Sequence, residues 1–245
     1  MHPHRQQHWC LGAVNAAFVA RMEDVLAVYE RPYHPLFPVV CFDERPCVLH
    51  GQPTQPLPPV PAQPAMDDQP AKAGRPRRES STYVRQGTAC LLVAFEPGLG
   101  QRLVEVSARR TGADYCRFLQ QLSAAYPQAE KIVLVQDNLN THTDAVFYQH
   151  LPAAEARALA ARFELHYTPK NASWLNLVEL ERSAIARQCL HQRIPTLDEL
   201  TAHVAACVAE RNAARATVHW QFTLEKARVK FDRHYQKIRA TNLPD

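Results

Sequence analysis

The chain has 245 residues, 46% of them hydrophobic, and a formal charge of +4. That is enough for one large domain with a full core, or for one domain with extensions. The charge is compatible with nucleic-acid binding without arguing for it, since many enzymes share it. No apolar run reaches the roughly 18 residues of a membrane-spanning helix. The N-terminal MHPHRQQHWC lacks a signal peptide's apolar stretch, so a cytoplasmic protein without membrane partners is expected. Seven scattered cysteines with no CxxC pair, and twelve histidines without metal-ligand spacing, point to reduced thiols rather than disulfides or structural zinc.

In chain order, residues 9–30 are predicted helical, because Phe18, Met22, Val25 and Tyr29 recur at helical spacing on one face. Pro32, Pro35 and Pro38 bar a regular helix from 31–38. Val39–Phe42 is an apolar run of strand length. Nine of the nineteen prolines fall in 44–82, which predicts a long extended loop. That loop ends in a basic cluster of Lys72, Arg75, Arg77 and Arg78. Residues 88–95 (TACLLVAF), the turn EPGLG and residues 102–108 (RLVEVSA) read as a β-hairpin. A helix over 113–125 presents Tyr115, Phe118, Leu119 and Leu122 on one face. Residues 131–136 lack alternation and read as a strand buried on both sides. Helices near 141–149 and 153–162, a strand at 163–167, and helices near 174–190, 197–213 and 223–239 complete the chain. This order predicts a three-layer α/β fold with a mixed sheet. It fits a ribonuclease H-like core over 38–192 with a Pro-rich insertion (44–82) after the first strand. A linker helix and extended segment (1–37) would precede the core, and a helical extension (193–245) would follow it.

Ligands in open α/β sheets collect beyond the carboxyl ends of strands. Asp43 and Asp137 each follow an apolar run and are expected there. Two such acids on neighbouring strands repel unless a cation lies between them, and Mg²⁺ suits oxygen ligands. Either Asp alone also reads as a turn or capping residue. Asn138, Asn140 and His142 crowd after Asp137. His142 could contact substrate or a metal-bound water, or simply bond loop backbone. Glu179 has a rival role in a capping box, Asn176-x-x-Glu179. On the apolar face set by Leu177, Val178, Leu180, Ala184 and Ile185, Glu181 rather than Glu179 is the inward acid. The residues themselves leave that choice open.

The motifs DNLNTH and YTPKxxSWLNxxE, with VVCFDE, GTACL, ARRTGADY and VHWQFT in order, resemble bacterial insertion-sequence transposases related to the mariner group. That family lies in the DDE superfamily, whose catalytic core is ribonuclease H-like. The resemblance runs from about Trp9 to Tyr235. It implies that the catalytic, metal-binding acids are Asp43, Asp137 and Glu179, with Asn138, His142 and Glu181 as possible auxiliaries. There are 41 residues between Asp137 and Glu179. RPCVLHG after Glu44, and Arg182, depart from the family pattern. Family members usually begin with helix-turn-helix modules, and none is expected within this chain.

The resemblance implies DNA strand cleavage and strand transfer with two Mg²⁺ (or Mn²⁺) ions. Implied partners are double-stranded transposon ends and target DNA, with a homodimer in the synaptic complex, near the bacterial nucleoid. Candidate DNA contacts are the loop cluster with Arg75, Arg77 and Arg78, then Arg109, Arg110 and Lys170, and a tail with Lys226, Arg228, Lys230 and Arg233. Solvated faces are the plain alternative for each. Trp174 at a helix start is expected to be core rather than a base-stacking platform. Two other functions compete: a truncated, non-catalytic DNA-binding or inhibitory remnant, and a ribonuclease H-like nuclease outside transposition.

Overall fold

The computed structural model describes residues 14–64, 70, 72–139 and 142–240. The expected Asn140 contribution, Cys10 and the start of the first predicted helix lie outside these residues. Five strands form one mixed sheet: β1 (Val39–Gly51), β2 (Val84–Glu96), β3 (Gln101–Ser107), β4 (Ile132–Gln136) and β5 (Phe163–Tyr167). Their order is β3-β2-β1-β4-β5. The first three are antiparallel, and β4 and β5 run parallel to β1.

The eight α-helices among the described residues cover both faces. They are α1 (Ala16–Tyr29), α2 (Gly112–Ala125), α3 (Ala145–His150), α4 (Ala153–Ala161), α5 (Val178–Cys189), α6 (Leu197–Ala213), α7 (Leu224–Lys230) and α8 (Asp232–Ala240). Strand pleating sends successive side chains to opposite faces. Val133 and Val135 of β4 therefore join one core with Met22, Leu26, Ile185 and Val204, from α1, α5 and α6. Ile132 and Leu134 join a second core with Tyr115, Phe118 and Phe147, from α2 and α3. Both predicted faces of β4 are thus buried. Ala227 and Phe231, around α7, belong to the first core, so α7 shares it with α1 and the sheet.

Local chemistry sets the element ends. Asn15 caps α1 by accepting the Phe18 N–H at 2.8 Å, and Thr111 and Asp114 form a capping box on α2. Gly100, at φ +64°, closes the β2–β3 turn. A Cβ there would lie 2.7 Å from the Arg215 carbonyl carbon, so only glycine lets the loop after α6 approach.

Three expectations change. The first strand does not end at Asp43: β1 continues to Gly51, paired with β2 through Asp43↔Val93, Pro46↔Cys90 and Val48↔Thr88. Pro46 is tolerated because β1 pairs with β4 only from Val39 to Cys41, so beyond that point it is an edge strand. The insertion therefore begins after Gly51. It is extended, as expected, but paired: Leu57 bridges Arg78, Val60 bridges Arg75 and Gln63 bridges Lys72. A bond every third residue is the period of polyproline II. Finally, the basic helix predicted at 223–239 divides into α7 and α8 at Phe231, which turns into the core and is 5% exposed.

Candidate active site

β4 ends at Gln136 while β1 runs on. The parallel register pairs Cys41 with Val135. Extended by two residues, it sets Asp43 abreast of Asp137, with Asp43 on the sheet face that α5 covers. Asp43 is thus at an edge made by the end of β4, not by the end of its own strand.

Asp43 is 9% exposed. Its Oδ1 accepts the Glu44 N–H at 2.6 Å, and its Oδ2 accepts from Arg182 Nη1. Burial pushes its carboxyl up to about 6. The Arg182 charge and the Glu44 N–H oppose this, and the negative charges of Asp137 and Glu179 add to it. Asp137 and Glu179, the other two acids foreseen from the motifs, are therefore both within electrostatic reach of Asp43.

Asp137 accepts from His142, with Nδ1 to Oδ1 2.5 Å. The other ring nitrogen lies 3.3 Å from Glu44 Oε1. His142 is fully buried, stacked on Tyr115 at 4.9 Å and edge-on to Phe42 at 5.3 Å. Its carbonyl accepts from Gln136 Nε2 and from the Tyr167 hydroxyl, each at 3.0 Å. Burial works against its positive charge, but the hydrogen bonds to Asp137 and Glu44 outweigh it and raise the imidazole to about 9. His142 is accordingly a charged clasp between two carboxylates, not a loop histidine on backbone. Glu44 was not singled out from the sequence. Its one signal is its place directly after Asp43, where strand alternation turns it to the opposite face.

The capping box proposed for Glu179 does not form. Leu177 is the residue at the helix cap, without a side-chain cap. Asn176 instead donates from Nδ2 to the Phe42 carbonyl at 2.8 Å, pinning the start of α5 to β1 beside Asp43. The Glu179 side chain is 34% exposed, with Oε1 3.5 Å from Arg182 Nη1. Glu181 does point inward, as amphipathicity suggested, but into a different cluster. Its oxygens accept from Arg102 Nη2 at 3.0 Å and from Arg211 Nε and Nη2 at 2.5 and 2.9 Å. Burial raises its carboxyl, but Arg211 and Arg102 hold it below the usual range. That carboxylate is committed to two guanidinium groups and does not join the Asp43 group.

Asn138 and Lys170 line one cleft of about 320 Å³ with Asn15, Arg21 and Asn171. Arg75, Arg77 and Arg78 are exposed on the paired arm, Arg77 within 2.9 Å of Glu79. Arg109 and Arg110 are exposed, Arg110 lying 3.9 Å from Glu44. In the tail, Arg228 is held bidentately by Glu23 at 2.9 Å. Lys226 donates to the Gln221 carbonyl, Lys230 lies over Phe222, and Arg233 is exposed. Trp174 is 40% exposed against Phe222 rather than core.

Three carboxylates supplying only oxygen donors fit a hard divalent cation. In the present arrangement, no three His, Cys, Asp or Glu side chains among the described residues are close enough to enclose one. Arg182 is the cation drawn between Asp43 and Glu179 instead.

The fold is similar to that of Mos1 transposase. The Mos1 strand transfer complex aligns with a TM-score of 0.50 at 14% identity, over 97% of this chain and 67% of that one. A pre-cleavage Mos1 transpososome aligns at 0.50 and 16%, over 86% and 65%. The Mos1 mariner paired-end complex with Mn gives 0.49 at 16%, over 89% and 68%. The chain spans about two thirds of the length of these proteins. At this identity the likeness is one of fold, a mixed five-stranded sheet with flanking helices as in a ribonuclease H-like catalytic domain. No curated protein matches the chain. Residues 60–201, more than half the chain, match the family model described as DDE superfamily endonuclease; Asp137 and Glu179 fall inside the match and Asp43 precedes it. The chain belongs to the DDE superfamily endonucleases.

Proposed function

We propose that this chain is the catalytic domain of a transposase, which cuts DNA strands at an element's ends and joins them to target DNA. The observation that carries this reading is the grouping of acids around Asp43: burial raises its carboxyl, and the charges of Asp137 and Glu179, from two other elements, add to the rise. Asp43, Asp137 and Glu179 would hold two Mg²⁺ or Mn²⁺ ions. When bound, these would supply an activated nucleophile and charge stabilisation at the phosphorus. The chain's own part is positional. The β1–β2 ladder fixes Asp43, His142 aims Asp137, and Asn176 holds the first turn of α5 so that Glu179 faces the same edge. No protein nucleophile is required. Double-stranded DNA would run over Lys170 and the arm arginines Arg75, Arg77 and Arg78, whose phosphate contacts give affinity without sequence readout. Two chains would meet in the synaptic complex.

The test is nicking and strand transfer on DNA carrying the element's ends, with Mg²⁺ or Mn²⁺, comparing the wild type with Asp137→Asn. Joining that is lost in the variant supports the reading. Cleavage without joining would favour a nuclease outside transposition. A second reading, a remnant that binds DNA without cutting it, is favoured by the direct contact of Arg182 on Asp43. DNA binding by both proteins with no cleavage by either would establish it.

A further inference from the structure

Both oxygens of Asp43 are already engaged by the protein, Oδ1 by the Glu44 N–H and Oδ2 by Arg182. Arg182 follows Glu179 by three residues on α5, so one guanidinium reaches both acids. Its side chain is 16% exposed, and its buried Nε finds no hydrogen-bond partner. The seat therefore holds the arginine by charge while leaving one of its donors unsatisfied, which makes it a good counter-ion but an imperfect home. An arginine does not lose its proton, so no rise in pH within the stable range releases it. With Asp43 ionised, a competing cation or a competing anion can.

We propose that Arg182 is a built-in counter-ion that closes the site in the metal-free protein and competes with divalent cations for Asp43 and Glu179. The proposal rests on the reading of those acids as metal ligands. It accounts for two facts together: a buried Asp43 whose direct charged partner is Arg182, and the absence of an open three-ligand cage among the described residues. Loading the site then requires the guanidinium to swing off Asp43. The protein's cation affinity is set by that exchange and not by the acids alone.

The test is Mn²⁺ binding to the full, DNA-free chain by electron paramagnetic resonance. The proteins compared are wild type, Arg182→Gln, Arg182→Lys, Asp43→Asn and the Asp43→Asn/Arg182→Gln double variant. Arg182→Gln should bind Mn²⁺ at least about fivefold more tightly, a modest share of the Coulomb repulsion between a guanidinium and a nearby dication. Arg182→Lys, which keeps the charge, should stay near wild type. Mn²⁺ should also raise the Tm of Arg182→Gln more than that of the wild type. A folded Arg182→Gln with unchanged or weaker affinity overturns the proposal. Asp43→Asn with undiminished binding overturns the ligand reading instead, and the double variant shows whether any gain runs through Asp43. Should Arg182→Gln fail to fold, the Arg182 Nε–H resonance of the wild type decides. A shift on saturation with Mg²⁺ supports displacement, and an unmoved signal refutes it.

Discussion

Glu179 and Glu181 leave the same turn of α5 in opposite directions and meet opposite fates. Glu181 is one acid facing two arginines, Arg102 from β3 and Arg211 from α6, and it is 1% exposed. Glu179 belongs to a group with more acid than base. Asp43, Glu44, Asp137 and Glu179 share Arg182 and His142, with Arg110 at the margin. The first cluster engages its one carboxylate fully and welds three elements together. The second holds excess negative charge at an edge that solvent can reach. Two carboxylates two residues apart thus separate an acid tied into the fold from an acid in a group with negative charge to spare.

The largest effect expected from this contrast is on stability. Glu181→Gln should lower unfolding free energy by about 3–5 kcal/mol, because it leaves the fully buried Arg102 side chain short of its counter-charge. Glu179→Gln should change it by less than about 1 kcal/mol yet abolish strand cleavage. Chemical denaturation and a nicking assay on both variants check the pair, and equal destabilisation would erase the distinction. Next comes His142. Its folded value, near 9, exceeds its ordinary value of 6.5. Its stabilisation is therefore complete below about pH 6.5 and is lost as pH rises through 9, a change of about 3 kcal/mol. Urea melts between pH 6 and 9.5 should show that slope in the wild type and not in His142→Gln. A smaller change, about 1–2 kcal/mol, is expected for Asn176→Ala, which strips the buried Phe42 carbonyl of its partner. Its cleavage rate should fall more than its stability. Smallest in stability is Arg75→Gln/Arg78→Gln on the exposed arm. No Tm change is expected, but the salt slope of DNA binding should fall by about 0.9 for each phosphate that these arginines neutralise in the wild type.

Where structure hangs on local pattern, the sequence was readable. The unbroken apolar run of β4 announced both its burial and the acid that follows it, and Phe18, Met22 and Val25 announced the buried face of α1. Glu179 was reached through motif likeness, and helix periodicity pointed to Glu181, because periodicity reports which way a side chain faces and not what it meets there. The partners that give the site its character lie far off in the chain. His142 to Glu44 spans 98 positions and Arg182 to Asp43 spans 139. No local spacing encodes such pairs. The continuation of β1 past Asp43 was hidden for a different reason: Pro46 and the charged pair before it look like loop until an edge position makes them admissible.

The paired arm between β1 and β2 carries a further consequence. Its bridges recur only every third residue, and Leu57 and Val60 on it stay half exposed, so it contributes little to either core. Its order comes from prolines that leave the unfolded chain few alternatives. Such a segment has little to melt cooperatively with the body of the protein. Its amides should exchange with deuterated solvent on a timescale of their own while the sheet stays protected, and clipping the arm with a protease should leave the heat capacity peak of the remaining molecule where it was.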